Sequence, residues 1–361
     1  MTGLYVHMPF CLQKCPYCDF FSVPYNEHIA YVYTDAVIRN AEHYNERYDS
    51  IYFGGGTPSL AWWNICRVMS KLRFSDDAEV TVEANPNTLT KEALSSMKSS
   101  GINRISVGVQ SFSNSELNSL ARGHTSEDAQ HAIKMAQECG FGNISVDLML
   151  GIPKQTPDSI RRSIKVLANL GVQHVSAYML KVEPRTPFAH YNPVLPDENT
   201  VAQIYLSAAG ALEDAGFKQY EISNFARSGF ECKHNLKYWL CEEYLGIGTG
   251  AHSYYGGERF CVDKNLAAFI NAPLQEVVIT DSGDLSFTDF AMMKLRLTEG
   301  LRFTECRRFG IKKEDMLRRA SLVPRNYLDV TDKNVAITRE GFLVSNQIIG
   351  KLTTPVAQQK V

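Results

Sequence analysis

The stretch Tyr5-Val6-His7-Met8-Pro9-Phe10-Cys11-Leu12-Gln13-Lys14-Cys15-Pro16-Tyr17-Cys18-Asp19-Phe20 decides how this chain is read. A short β-rich run, Leu4–His7, leads straight into three cysteines spaced Cys-x-x-x-Cys-x-x-Cys. Six further cysteines, at 66, 139, 232, 241, 261 and 306, are scattered, so the bunching of Cys11, Cys15 and Cys18 is a local feature and not a compositional one. Three thiolates this close together are a ligand set. A structural zinc site requires four protein ligands. The nearest additional ones are His7 and His28, neither at a usual zinc-finger offset. A [4Fe–4S] cluster normally takes four cysteines. Three leave one iron open to a small chelating ligand, and the amine and carboxylate of S-adenosylmethionine suit it.

Working outward, a second segment fits the same ligand. Gly54-Gly55-Gly56-Thr57-Pro58 follows a second β-rich run, Ser50–Phe53. Consecutive glycines either make a tight turn or let backbone approach a ligand without side chains in the way. Four further runs, Glu79–Glu83, Arg104–Val109, Ile144–Leu150 and His174–Leu180, follow helical stretches. In one, Ile160, Ile164 and Leu167 fall on one stripe. Gly101, Gly140 and Gly171 sit where a helix C-cap wants glycine. Six β-α units in a row imply α/β architecture with a parallel sheet and right-handed crossovers, as a partial barrel or an open sheet. Beyond residue 190 prolines break the rhythm, so residues 1–190 read as the α/β unit and 191–279 as an extension. Residues 280–361 read as a small helical and winged-helix-like domain, its wing formed by Tyr327–Val330 and Val335–Thr338.

Composition narrows the classes. The 361 residues carry 37 Lys+Arg against 39 Asp+Glu, a net charge of −2, which disfavours a dedicated nucleic-acid binder. No apolar run reaches the roughly 18 residues of a membrane span. The start, Met1-Thr2-Gly3, has neither the basic nor the apolar region of a secretory signal, and the odd cysteine count suits a reducing compartment; the expectation is a cytoplasmic protein.

Taken together, these motifs resemble the HemN/HemW group of the radical SAM superfamily. The resemblance implies a partial (β/α)6 barrel with a C-terminal helical, winged-helix-like domain. It implies a [4Fe–4S] cluster on Cys11, Cys15 and Cys18, with S-adenosylmethionine on the open iron. It places Gly55, Gly56, Thr57, Glu83, Gln110, Arg122 and Asp147 around that nucleotide, and Tyr5 and Tyr17 beside the cluster and the adenine. From the residues alone, Asp147 could equally be a buried ion-pair or capping residue, and Arg122 a solvated helix charge.

Within the group, the porphyrinogen-decarboxylating members carry one more cysteine two residues after the third, and an N-terminal extension. Here Phe20 stands at that position and the first strand begins near Met1. Both departures point to the heme-chaperone branch and away from oxygen-independent coproporphyrinogen III dehydrogenase, leaving enzyme status open. The resemblance then implies heme as a further ligand, near His234-Asn235-Leu236-Lys237-Tyr238-Trp239. His234 can ligate iron, or it can be a hydrogen-bonded structural histidine. Tyr238 and Trp239 can offer flat area to a porphyrin. His252, Cys232 and Cys241 are further ligand candidates. The implied partners are a heme-acceptor protein, an electron donor such as flavodoxin or ferredoxin, and a second copy in a homodimer. Arg302–Arg325 holds eight Arg/Lys against three Asp/Glu, a solvated face or a peripheral membrane contact.

Overall fold

The computed structural model describes residues 1–191 and 193–354. Its centre is six parallel strands: β1 (Thr2–Met8), β2 (Arg47–Gly55), β3 (Arg73–Ala84), β4 (Arg104–Gln110), β5 (Ile144–Leu150) and β6 (His174–Met179), hydrogen-bonded in that order. These are the six runs expected from the sequence. Helices α1 (Glu27–Tyr44), α2 (Trp62–Met69), α3 (Lys91–Ser99), α4 (Ser126–Glu138) and α5 (Pro157–Asn169) supply the crossovers. Local chemistry sets their starts: Thr125 and Thr156 close capping boxes, the second followed by Pro157 in the first turn, where its missing N–H costs nothing.

The sheet does not close. It continues through β7 (Lys218–Gln219) and β8 (Asn224–Ala226) on one side, and β9 (Tyr244–Ile247), β10 (His252–Tyr255), β11 (Glu258–Val262) and β12 (Val277–Asp281) on the other. The full order is β12-β11-β10-β9-β1-β2-β3-β4-β5-β6-β8-β7. Strand β9 pairs parallel to β1, whereas β8 pairs antiparallel to β6. The segment between residues 191 and 279 therefore contributes strands to both edges of one sheet. A three-stranded sheet of Leu301–Arg302, Leu328–Val330 and Asn334–Ile337 follows, its last two strands coinciding with the expected wing. Residues 355–361 lie outside the described part. Among the described residues no helix is long and apolar enough to cross a membrane.

Strand alternation positions the site. Leu4, Val6 and Met8 of β1, Ile51 and Phe53 of β2, Val80 and Val82 of β3, Ile105 and Val107 of β4, and Val146 and Leu148 of β5 are buried in the apolar core. The alternate residues meet one another on the opposite, inner face. Tyr5 stacks on Tyr52, Tyr52 donates to Glu83, Ser106 donates to Asp147 and Ser145 bonds His174. Barrel interiors are usually filled by layers of Val, Ile and Leu. This one is lined with hydroxyls, carboxylates and a guanidinium, the lining of a polar ligand cavity.

Candidate cofactor site

The cysteine loop leaves the C-terminal end of β1. Phe10–Cys11 pairs in parallel with Val23–Pro24, and the Cys18 amide closes a turn on the Cys15 carbonyl at 3.0 Å. The three thiols are free and half-buried. Burial pushes the Cys11 and Cys18 thiols up, with hydrogen bonding and the Lys14 charge opposing it. Among the described residues no three His, Cys, Asp or Glu side chains converge on a single metal ion. Tetrahedral zinc, with Zn–S near 2.3 Å, would hold its sulfurs about 3.8 Å apart. His7, the nearest fourth zinc ligand by sequence, is committed: Nε2 meets the Phe21 carbonyl at 2.9 Å and Nδ1 meets Tyr5 OH at 3.0 Å. His28 is exposed at the solvent face of α1. Three thiols on one loop, with no fourth ligand converging on them among the described residues, fit a cube, which takes each sulfur on a separate iron, better than they fit one zinc ion.

The remaining residues form a hydrogen-bonded ring around that loop. Arg122 Nη1 donates to Cys15 Sγ and to Tyr17 OH, both at 3.3 Å; Nη2 donates to Asn85 Oδ1 and the Gly108 carbonyl, both at 2.7 Å. Asn85 Nδ2 donates to Thr57 Oγ1 at 3.0 Å, and Thr57 Oγ1 donates to Cys11 Sγ at 3.8 Å. Arg122 is thus neither solvated nor free. A cleft of about 200 Å³ opens beside this ring, lined by Cys15, Thr57, Asn85, Arg122 and His124 among others.

The glycine run is dictated by close approach. Gly55 has φ +116°, and a Cβ there would lie 2.6 Å from His7 Cε1; one on Gly56 would lie 2.6 Å from the Phe10 carbonyl oxygen. The turn is thereby pressed against the cysteine loop. Glu83 reaches it from β3, accepting from the Gly55 N–H at 3.2 Å and from Tyr52 OH at 2.9 Å. Burial, reinforced by Asp147, pushes the Glu83 carboxyl up to about 7. Asp147 is also raised by burial and accepts from Ser106 Oγ at 3.2 Å. Gln110, in left-handed backbone with φ 71°, accepts from Tyr178 OH at 2.7 Å. Glu83 and Asp147 share the inner face, near enough for the Asp147 charge to raise the Glu83 carboxyl, and acids there suit hydroxyl and ammonium groups.

Tyr17 lies in the cysteine loop, against Arg122 and Phe188. Tyr5 lies deeper, 6.3 Å from the Tyr52 ring and 6.5 Å from the His234 ring, which themselves stack at 5.3 Å. His234 and Tyr238 are not brought to the cysteine loop. They sit on helix α6 (Lys233–Leu240), whose first amides are capped by Glu79 at 3.2 Å. His234 Nδ1 bonds Ser50 Oγ at 3.0 Å, and Nε2 bonds Tyr238 OH at 2.8 Å. Ser50 is four residues upstream of Gly54 in β2, so this pair closes the opposite, N-terminal end of the strands. Both His234 nitrogens are engaged, and burial pushes its pKa down to about 3, an arrangement that matches the hydrogen-bonded alternative. Trp239 is half-buried beside Arg296. Cys232 is buried and donates to Glu79 at 3.3 Å. Cys241 terminates the helix in left-handed backbone, and His252 is exposed on β10. Sequence reasoning missed Asn85 and Arg104, a buried guanidinium on the inner face whose Nε has no partner.

An open parallel α/β sheet with a three-cysteine loop at the end of its first strand defines a radical SAM protein, and residues 5–167 match the model of the radical SAM superfamily. The chain is 34% identical to the heme chaperone HemW of Haemophilus influenzae, covering 96% of each chain. It is 33% identical to that of Bacillus subtilis, covering 97% of this chain and 98% of that one. The fold matches coproporphyrinogen III oxidase (HemN) of Escherichia coli with a TM-score of 0.83 over 98% of this chain and 90% of that one; at 23% identity this is a likeness of fold alone. The chain belongs to the HemW family of the radical SAM superfamily.

Proposed function

We propose that this protein is a heme carrier that holds a [4Fe–4S] cluster and S-adenosylmethionine, and passes heme to an acceptor protein. The observation that carries this reading is the near full-length kinship with chains named heme chaperone HemW. Phe20, large, apolar and 67% exposed, stands where the resemblance places the further cysteine of the decarboxylating members.

In this reading Cys11, Cys15 and Cys18 hold three irons. When bound, the cluster and the nucleotide supply one-electron reduction of a sulfonium. The chain's own residues do the positioning. Gly55, Gly56 and Thr57 bring backbone against the cysteine loop, so a ligand's amino group meets carbonyl oxygens and not side chains. Glu83 and Asp147 face the cavity as acceptors for ammonium or ribose hydroxyls. Arg122 supplies the cation for a carboxylate. Gln110, fixed by Tyr178, offers its amide N–H to the same cavity. Tyr17, beside Arg122, offers an aromatic face. Heme contact near residues 234–239 comes from the Trp239 side of the helix, because His234 is committed inward. A flavodoxin- or ferredoxin-type donor would supply the electron, in a cytoplasmic setting where nine cysteines stay as thiols.

The test is a heme titration of the anaerobically reconstituted protein. A saturable Soret shift near one heme per chain is expected, with transfer to an apo-acceptor on mixing. Absence of specific uptake, or conversion of coproporphyrinogen III with added reductant and S-adenosylmethionine, would overturn the carrier reading.

A further inference from the structure

Asn85 follows strand β3 and precedes Pro86, a position that reads from sequence as a turn residue. Its amide instead bridges Arg122 and Thr57, the two side chains that donate to cysteine sulfurs. The orientation is dictated by its neighbours. Arg122 can only donate, so the oxygen that meets Nη2 at 2.7 Å must be Asn85 Oδ1. Asn85 Nδ2 then necessarily faces Thr57, donating to Oγ1 at 3.0 Å. Thr57 has one hydroxyl proton. With a lone pair occupied by the amide, that proton is left for Cys11 Sγ, 3.8 Å away. At the other end the guanidinium that Asn85 anchors donates to Cys15 Sγ at 3.3 Å. Two of the three thiols thus accept a hydrogen bond from groups placed by one side-chain amide, which directs the Thr57 proton and holds the Arg122 guanidinium.

We propose that Asn85 is a positioning residue that leaves the Thr57 hydroxyl proton for the Cys11 sulfur and holds the Arg122 guanidinium against the Cys15 sulfur, and through these two hydrogen bonds sets the reduction potential of a cluster held there. The inference rests on the cluster-binding reading above. Its physics is general: hydrogen bonds to ligating sulfur stabilise the extra negative charge of the reduced cluster and raise its potential. Asn85 touches no thiol itself and acts only through Thr57 and Arg122.

Asparagine and aspartate are nearly the same shape, which separates polarity from support. Asn85→Asp keeps an acceptor for Arg122 but turns a donor toward Thr57 into an acceptor. The Thr57 hydroxyl proton is then drawn to the carboxylate and away from Cys11. Asn85→Ala removes both interactions. The carboxylate's own charge also lowers the potential, so the part carried by the Thr57 proton is the part of the Asn85→Asp shift that disappears when Thr57→Val is combined with it; if Asn85 merely filled space, that shift would be the same with and without Thr57→Val.

The experiment is an anaerobic spectroelectrochemical titration of the reconstituted wild-type, Asn85→Asp and Asn85→Ala proteins, and of Thr57→Val alone and combined with Asn85→Asp, with iron and sulfide measured on each. Both Asn85 variants are expected to carry cluster at wild-type content and to reduce at lower potential. Asn85→Asp should shift at least as far as Asn85→Ala, by about tenfold in the reduced-to-oxidised ratio at fixed potential, or about 59 mV for one electron. Asn85→Asp at the wild-type potential overturns the proposal, as does an Asn85→Asp shift unchanged by Thr57→Val, or cluster loss in both Asn85 variants. Absence of iron and sulfide from the wild type would instead sink the cluster-binding reading itself.

Discussion

Arg122 and Cys15 meet directly: the guanidinium Nη1 donates to the thiol sulfur across 3.3 Å. They are 107 residues apart in sequence, and Arg122 is itself pinned by Asn85 and the Gly108 carbonyl. Arg122 thereby joins the Thr57 hydroxyl on Cys11 and the Phe188 amide on the Pro16 carbonyl in tying the cysteine loop to the rest of the fold. The three cysteines span eight residues of the chain.

If Arg122 ties the loop down, removing its charge should release the loop. A hydrogen bond to a charged group contributes about 1.5–3 kcal/mol, or roughly ten- to a hundredfold in an opening equilibrium. In cluster-free protein, Arg122→Gln is expected to raise the rate of tryptic cleavage after the exposed Lys14 by about tenfold or more. Cleavage at the wild-type rate would show that the contact does not hold the loop.

His234 is expected to matter for folding and not for iron. Its removal orphans Ser50 Oγ and Tyr238 OH in the interior. Each buried unsatisfied group costs about 1–3 kcal/mol. His234→Ala should therefore lower the urea midpoint while leaving heme stoichiometry near wild type. A heme-free variant of undiminished stability would contradict the placement described here.

Glu83 gives the protein a pH signature. Its carboxyl titrates near 7 in the fold, against about 4.3 for an unfolded glutamate. The native state thus keeps this proton to higher pH than the unfolded state does. Its contribution is complete below about pH 4.3 and is lost as pH rises through 7. Glu83→Gln, which does not titrate, should show a shallower decline of unfolding free energy between about pH 5 and pH 8. Denaturant unfolding across that range checks it, and an unchanged slope would place the titration elsewhere.

Gly56 tests the packing of the turn. A Cβ there would meet the Phe10 carbonyl oxygen at 2.6 Å, whereas one on Gly142 would meet nothing within 4 Å. Gly56→Ala is expected to destabilise by about 1–3 kcal/mol or more, with Gly142→Ala as a near-neutral control. Equal urea midpoints for the two would mean that the turn relaxes freely.

Much of this was legible in the residues. The six parallel strands announced themselves because each carries a buried apolar row and sits between helical stretches with their own caps. The cysteine spacing and the glycine turn are local in sequence and survive without structure. What was not legible depends on distant partners. Strands β7 to β11 are two to five residues long, too short for periodicity, and exist because edges of the sheet capture them. Asn85 reads as a turn residue before proline until Arg122, 37 residues on, gives its oxygen a partner. His234 reads from sequence as either an iron ligand or a hydrogen-bonded histidine, and its two hydroxyl partners, Ser50 and Tyr238, become visible only in the fold. Arg104 is a charged residue inside an otherwise apolar-looking run, and only the inner face of the sheet explains it.

The most direct test is metal and sulfide analysis after anaerobic reconstitution, on wild type and on the combined Cys11→Ala, Cys15→Ala, Cys18→Ala variant. About four irons and four sulfides per chain are predicted for the wild type, and neither for the variant. A single zinc without sulfide in the wild type, or undiminished iron and sulfide in the variant, would contradict the account.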